Sequence, residues 1–380
     1  MKIIFTHLKP EFWQYKTASV LRKKGVKTIS ISILEFDKEK YKNAFDEIIS
    51  PELPNLKPET LLKQFFKNPL KILKFLIKIS TIKSDVAICQ GAPHYLTAFF
   101  IWLFKGRFPR IYFPYDINSS RFRNLKGYFP KREIWGEESS FKNCDAIIIK
   151  SKKQELELLP KYFNTKNKPQ LEFPCYVSSE WSVPYQPKKL SRKDKQTHIV
   201  YTGIFMDEPD SFHKSMLPDF QEILKQKIHF HIYCAYNSLS KEQYSKITKN
   251  NEKLMPFFHV HQFVSPEKLS QEISKYDFGY YFVEYNENAV PGSVKFVTGN
   301  KVSSYFESAI PVIVYKGNLI NSKMIEENNL GISIEKMKNL KEGIKKFNYN
   351  KSIKSLLEFR KKYSADNHIN EMIDFVKYLN

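Results

Sequence analysis

Short apolar runs alternate with segments of helical periodicity through most of this sequence, and that alternation sets the first expectations. Lys2–Phe5 is strand-like, Pro10–Lys24 is helical and stops at Gly25, and Thr28–Leu34 is the next apolar run. Ser84–Cys89 reads as a strand entering the turn Gln90-Gly91-Ala92-Pro93-His94, with a helix over Tyr95–Phe104. Arg110–Pro114 and Ala146–Ile149 are further strands, the second followed by a helix over Lys152–Leu159. Short, continuously apolar strands separated by helices predict parallel sheets covered on both faces.

The pattern breaks between Lys161 and Lys195, where Pro, Lys and Ser dominate, and resumes with His198–Thr202 ending at Gly203. Strands near Phe230–Cys234, His259–Gln262, Asp277–Phe282 and Val312–Val314 follow. A break of this composition is a linker signal. The expected organisation is a Rossmann-like domain over 1–175, a linker over 176–196, a second Rossmann-like domain over 197–350, and terminal helices over 351–380 packing back on the first domain. At 380 residues the chain is too long for one ordinary core, which fits two α/β domains. Ligands of such sheets sit at the carboxyl ends of the strands.

Composition narrows the picture further. A net charge of +21 draws anionic partners: phosphorylated small molecules, anionic lipid or nucleic acid. A proteome biased toward lysine would also produce it. No aromatic-basic motif or zinc-finger spacing supports specific nucleic-acid recognition. Cys89, Cys144, Cys175 and Cys234 form no C-x-x-C pair, so reduced, buried thiols are expected in a cytoplasmic protein. No signal peptide is evident, and no apolar run reaches the roughly 18 residues of a membrane span.

Residues 276–314 carry the clearest chemistry. A strand leads into a long polar loop with Pro291 and Gly292, then a short helix opening near Asn300-Lys301, then the buried strand Pro311–Val314. A lysine and hydroxyls delivered to a helix N-terminus above a strand's carboxyl end suit a phosphate, because amide N–H groups and the helix dipole both favour an anion. The alternative for Lys301 is a solvated helix-start lysine. Gly203, ending a strand, allows close backbone approach of a ligand. Asp116 exits a strand and is a cleft carboxylate or a turn residue. His94 is a general base, an acceptor hydrogen-bonder or a packed turn histidine. Arg121 has the planar fork that fits phosphate oxygens, or makes a surface ion pair. His229, His231, His259 and His261 alternate along strands and read as sheet residues, not metal ligands.

The segment 276–314 resembles the donor-nucleotide segment of GT-B glycosyltransferases of the retaining, group 1 type. In that family an Asn-Lys and a Glu-Tyr precede a small residue and Pro-Val-Ile; here those positions are Asn300-Lys301, Ser304-Tyr305 and Ala309-Ile310-Pro311-Val312-Ile313. Ser84–Gly91, Tyr112–Asp116, Glu137 with Cys144–Ile148 and Ser151, His198–Gly203, Lys214 and Val264–Leu269 match further family segments in order along nearly the whole chain. The resemblance implies two Rossmann-like domains facing each other across a cleft, with a UDP- or GDP-sugar in the C-terminal one and the acceptor in the N-terminal one. It implies no metal, and a cytoplasmic enzyme, or one peripheral on the inner face of the membrane, acting in polysaccharide or glycoconjugate synthesis.

On this resemblance Lys301 and Lys214 neutralise the leaving diphosphate, and Asn300 and Ser304 orient phosphates or sugar. Tyr305 or Glu307 contacts ribose or base, and Asp116 or His94 positions the acceptor hydroxyl. Two departures stand out: Thr6–Pro10 contains no glycine loop, and Ser304 replaces the ribose-binding glutamate. Glu307, one turn on, is the candidate substitute. Competing readings are a sugar-nucleotide epimerase of the same fold and a non-catalytic homologue that binds a partner or membrane. Finally, Lys63, Lys67, Lys71, Lys74 and Lys78 form one helical stripe in a stretch free of acidic residues, the pattern of a basic amphipathic helix on anionic lipid or of an ordinary helix with a solvated face.

Overall fold

The computed structural model describes all residues except 55–65, 92, 123–124, 206–213, 235–238, 250, 283, 285–289, 291–294 and 297. Lys63 therefore lies outside the described residues. The chain forms two compact units. The first comprises Met1–Ser120, Asn124–Pro174 and His368–Asn380; the second comprises Arg121–Arg123 and Cys175–Asn367.

Among the described residues the first unit holds seven strands: β1 (Lys2–His7), β2 (Lys27–Ser32), β3 (Glu47–Ile49), β4 (Val86–Gly91), β5 (Arg110–Pro114), β6 (Ala146–Ile149) and β7 (Gln170–Glu172). They pair in the order β3-β2-β1-β4-β5-β6-β7, every pairing parallel. Its helices of eight residues or more are α1 (Phe12–Lys23), α2 (Pro69–Ser80), α3 (His94–Leu103) and α4 (Lys131–Asn143). Strands β4, β5 and β6 are buried at every position, as expected of parallel strands covered on both faces. Helix α1 starts where the Glu11 N–H donates to Gln14 Oε1 at 2.9 Å. It stops at Gly25, whose φ of +76° is the left-handed conformation that ends many helices.

The second unit repeats the plan with β8 (His198–Gly203), β9 (His229–Cys234), β10 (Phe258–His261), β11 (Phe278–Tyr281), β12 (Val312–Tyr315) and β13 (Gly331–Ile334). The order is β10-β9-β8-β11-β12-β13, again all parallel. Its longer helices are α5 (Leu217–Lys225), α6 (Lys241–Thr248), α7 (Pro266–Ile273), α8 (Asn300–Glu307), α9 (Leu319–Glu327) and α10 (Tyr349–Lys362). Helix α11 (Ala365–Leu379) then runs into the segment grouped with the first unit. In both sheets the strand order reverses beside the first strand, between β1 and β4 and between β8 and β11. That reversal opens a crevice at the carboxyl ends, the place where such sheets take ligands.

The expected parallel α/β architecture is what the chain adopts. Three strands escape the sequence pattern: β3 and β7 are three-residue sheet-edge strands, too short to show a run, and the edge strand β13 reads Gly-Ile-Ser-Ile, with no continuous apolar run. Residues expected as a helix over Lys152–Leu159 form a 3-10 helix, Lys153–Leu158. β7 falls inside the Pro- and Lys-rich stretch read as irregular. All four cysteines are free and buried. No described helix is long and apolar enough to cross a membrane.

Candidate active site

In the second unit, the carboxyl end of β8 meets the start of α8. Gly203 has φ +143°, a conformation that side chains rarely adopt. A Cβ placed there would lie 2.4 Å from Lys301 Cε and 3.1 Å from Lys301 Nζ, so the lysine stem lies directly over the glycine backbone. The Lys301 ammonium also sits 5.4 Å from the Tyr201 ring centroid, within cation–π range. Gly299, preceding α8, passes so close to Tyr281 that a Cβ would fall 2.2 Å from the ring. Glycine at this position lets the helix N-terminus descend onto the strand end. Beyond α8, Ala309 has φ +52°, a conformation glycine adopts at less cost.

Helix α8 divides the sequence candidates in two. Asn300, Lys301 and Ser304 are half-buried and share one arc of the helix, while Val302, Ser303, Tyr305, Phe306 and Glu307 are buried. Tyr305 is fully buried: its hydroxyl donates to Tyr280 O at 3.0 Å and accepts from Thr202 N–H at 3.3 Å. Its ring occupies the space where a Gly279 Cβ would be, 2.3 Å away. Tyr305 therefore joins β8 to β11 and does not face a ribose. Glu307 is also fully buried, its Oε1 accepting the Ser178 N–H at 2.7 Å and its carbonyl the Val183 N–H at 2.9 Å. It anchors the segment entering the second unit, so the proposed replacement of the missing ribose glutamate by Glu307 is corrected.

Lys214 follows β8 and is strapped to the segment after β11. Its N–H donates to Glu284 O at 3.0 Å and its ammonium lies 2.8 Å from Glu284 Oε2. That hydrogen bond raises the lysine pKa. A cavity of about 270 Å³ opens here, lined by Lys214, Ser215, Met216, Pro218, Asp219, Phe282 and Glu284. Burial, reinforced by repulsion from Glu284, pushes the Asp219 carboxyl up to about 7. The Tyr280 hydroxyl, 3.4 Å from Asp219 Oδ2, and Lys214 pull the other way. Neither Asp219 nor Glu284 was a sequence candidate, and neither sits in a motif that marks it.

The first unit gathers a second group at its own carboxyl ends. Asp116, half exposed just past β5, holds the buried Lys150 ammonium at 2.9 Å. Lys150 follows β6, and its ammonium stands 4.1 Å over the Tyr115 ring centroid. Glu11 keeps an exposed edge, and Gln90 Nε2 donates to its Oε2 at 3.4 Å. The protein packed around the Glu11 carboxyl raises its pKa and Asp116 adds to the rise, against Lys150, Lys9 and Gln90. Lys150 was legible as a charged residue at the end of a buried parallel strand; Glu11 reads only as a helix-start residue.

One sequence candidate in this region, His94, is structural. His94 is buried, with Nδ1 2.8 Å from the Tyr112 hydroxyl and Nε2 3.8 Å from Glu137. Its N–H donates to Glu133 Oε2 at 2.7 Å, so the ring belongs to the packed α3–α4 layer and is not a free general base. Glu137, part of a segment that resembles the GT-B family, is structural: its carboxylate accepts the N–H groups of Asn118 and Ser119 at 2.7 and 2.9 Å. Arg121 is buried rather than solvent-facing, and its carbonyl accepts the Val290 N–H at 2.7 Å.

Helix α2 carries the lysine stripe. It buries Phe75 and Ile79, while Leu70, Leu73 and Ile77 stay 73%, 54% and 57% exposed. Phe66, just before it, is 85% exposed. Lys67, Lys71, Lys74 and Lys78 are exposed alongside, and Lys78 pairs with Glu47 at 3.0 Å. The helix thus presents an apolar row beside a basic one, which a merely solvated face would lack.

Two Rossmann-like sheets with these strand orders give the chain the GT-B fold. More particularly, residues 223–374 match the family described as Glucosyltransferase 3-like, C-terminal domain. The chain is similar in structure to a sucrose-phosphate synthase from Thermosynechococcus elongatus, at 10% identity and TM-score 0.66, covering 100% of this chain and 99% of that one. It is similar to Anabaena HepE in complex with UDP and glucose, at 10% identity and TM-score 0.63, covering 100% of both chains. A glycosyltransferase from Rickettsia africae is 14% identical with TM-score 0.59, over 100% of this chain and 98% of that one. No curated protein sequence matches the chain.

Proposed function

We propose that this protein transfers a sugar from a UDP-sugar to a hydroxyl of a glycan or lipid-linked saccharide at a membrane surface, within polysaccharide or glycoconjugate synthesis. The observation that carries the donor assignment is Lys301 folded over Gly203 at the start of α8, beside the strand-order reversal of the second sheet. UDP is preferred over GDP because the HepE structure holds UDP. Glucose is the preferred sugar, from that structure and from the name of the matching domain.

As the bond between the sugar and the diphosphate breaks, negative charge collects on the leaving oxygens. Lys301 and the α8 N-terminus meet that charge, with Lys214 nearby, and positioned cations and dipoles of this kind act most strongly where charge develops. Asn300 and Ser304 orient the phosphates or sugar from the same helical arc. In the first unit Asp116, held by Lys150 beside Glu11, is the group that positions or deprotonates the acceptor hydroxyl. Charge on lysines lets this reading assign no divalent ion to the donor site. The exposed apolar and basic rows of α2 support a peripheral location on anionic lipid, where a lipid-linked acceptor resides.

The test is a thermal-shift series with UDP, GDP, CMP and ADP and their sugars, on the wild type and Lys301→Ala. A rise of several degrees with UDP or UDP-glucose, lost in the variant, is expected. No rise with any nucleotide would turn the assignment toward a non-catalytic binding protein.

A further inference from the structure

Five of the nine histidines in the chain gather on one side of the second sheet: His198 on β8, His229 and His231 on β9, and His259 and His261 on β10. Adjacent strands hold them in register, His198 opposite His229 and His231 opposite His259. The rings stack, with centroids 4.4 Å apart for His198–His229 and 4.3 Å for His231–His259. The alternation legible in the sequence places them in strands; it does not show that they converge.

They converge on one carboxylate. Asp194 ends the short helix Ser191–Asp194, and its Oδ1 accepts the Gln196 N–H at 2.9 Å. Its Oδ2 is thereby aimed at the histidines, 2.9 Å from His198 Nε2 and 3.6 Å from His229 Nε2. One donor atom from each of the three residues lies within 4.8 Å of the others. The other nitrogen of each imidazole is already placed against a further imidazole: His198 Nδ1 is 2.9 Å from His231 Nε2, and His229 Nδ1 is 2.8 Å from His259 Nε2. His231 Nδ1 continues to His261 Nε2 at 2.9 Å.

We propose that Asp194, His198 and His229 form a site for a divalent transition ion of the zinc class. Two imidazoles and a carboxylate are a donor set that zinc accepts, with water completing a tetrahedron. The His198 and His229 planes are 4° from parallel, so the rings must tilt toward each other for both Nε2 lone pairs to meet one ion at the ~2.0–2.1 Å that zinc requires. His231 and His259 are the outer partners that fix the orientation of liganding histidines. The tautomers also balance. With every ring neutral and carrying its proton on Nε2, His261 donates to His231, His231 to His198, and His198 to Asp194. An ion on His198 Nε2 requires that proton on Nδ1 instead, where His231 Nε2 accepts it. The same shift repeats along the row, each ring keeping one proton.

His198 and His229 are the first residues of β8 and β9, at the opposite end of the sheet from Gly203. The ion would therefore tie the incoming segment to two strands and take no part in sugar transfer. Asp194, with 36% of its side chain exposed, gives the ion its way in.

The test uses the full-length protein stripped with EDTA and titrated with Zn²⁺ by calorimetry and thermal shift, with Co²⁺ as a spectroscopic probe. One equivalent of Zn²⁺, a raised melting temperature, and a loss of affinity of at least the roughly 10–100-fold that losing an outer partner costs are expected, the last in Asp194→Asn and His229→Gln, which alter the ligands themselves. No bound equivalent, or unchanged affinity in both variants, overturns the site. Should a variant fail to fold, the wild-type Co²⁺ spectrum decides: intense visible bands mark a low-coordinate protein site, and the pale spectrum of the hydrated ion overturns it.

Discussion

Lys301 and Gly203 are mutually exclusive with any side chain at position 203, because a Cβ there would lie 2.4 Å from Lys301 Cε. Gly203→Ala must displace the lysine and also hold alanine at φ +143°, a strain of about 1–3 kcal/mol. The expected result is a fall of at least about tenfold in UDP affinity, equal to about 1.4 kcal/mol, together with a lower melting temperature. Calorimetric titration with UDP checks it, and retained affinity would separate Lys301 from the donor site.

Glu307 gives the converse case. Glu307→Gln weakens the hydrogen bond to the Ser178 N–H and is expected to cost about 1–2 kcal/mol of stability, visible as a melting point lower by several degrees. Once the variant is folded, UDP affinity should be unchanged. A selective loss of nucleotide binding would return Glu307 to the ribose.

Asp219 makes the second unit sensitive to pH near neutrality. Its pKa in the folded protein is raised to about 7 from the ordinary aspartate value of 3.8. A group with a raised folded value contributes stability that is complete below its unfolded pKa and is lost as pH rises through the folded pKa. Stability from this residue should therefore decline between about pH 4 and pH 7. Asp219→Asn should flatten that decline and melt a few degrees above the wild type at pH 8, a difference of about 1–2 kcal/mol. Melting curves at pH 5 and pH 8 for both proteins decide it; parallel behaviour would rule out the titration.

Asp116 is expected to govern turnover without governing donor binding. Asp116→Asn removes the Asp116–Lys150 ion pair and the base, so kcat should fall by about 10²–10⁴ while UDP affinity holds. Steady-state transfer kinetics beside calorimetry test the split. Equal losses in both quantities would count against an acceptor role.

The apolar row of α2 offers a separate experiment. Leu70→Glu with Leu73→Glu alters two highly exposed side chains and should leave the melting temperature unchanged. Binding to vesicles of anionic lipid should drop at least about tenfold, and wild-type binding should weaken with salt. Equal vesicle binding by the double variant would leave α2 an ordinary solvated helix.

Both parallel sheets were legible because continuously buried strands such as Ala146–Ile149 write unbroken apolar runs into the chain. Edge strands such as Glu47–Ile49 do not, being too short to show a run. Asn300, Lys301 and Ser304 were legible as candidates and fall on one helical arc, whereas Tyr305, read as a ribose or base contact, lies on the buried side with its hydroxyl bonded to Thr202 and Tyr280. Glu307 was misjudged because it borders that arc and is covered by residues 178–183, a partnership more than a hundred positions away in sequence. The Asp194–histidine convergence was hidden for the same reason: cross-strand register, not local spacing, creates it.

The hydroxyl of Tyr305 bridges the Thr202 N–H and the Tyr280 carbonyl from inside the fold. This bolt fixes the azimuth of α8 independently of the residues on its outer arc. On the proposed donor assignment, positions 300, 301 and 304 can therefore be rewritten without the helix turning, which makes this arc the natural place to engineer sugar preference.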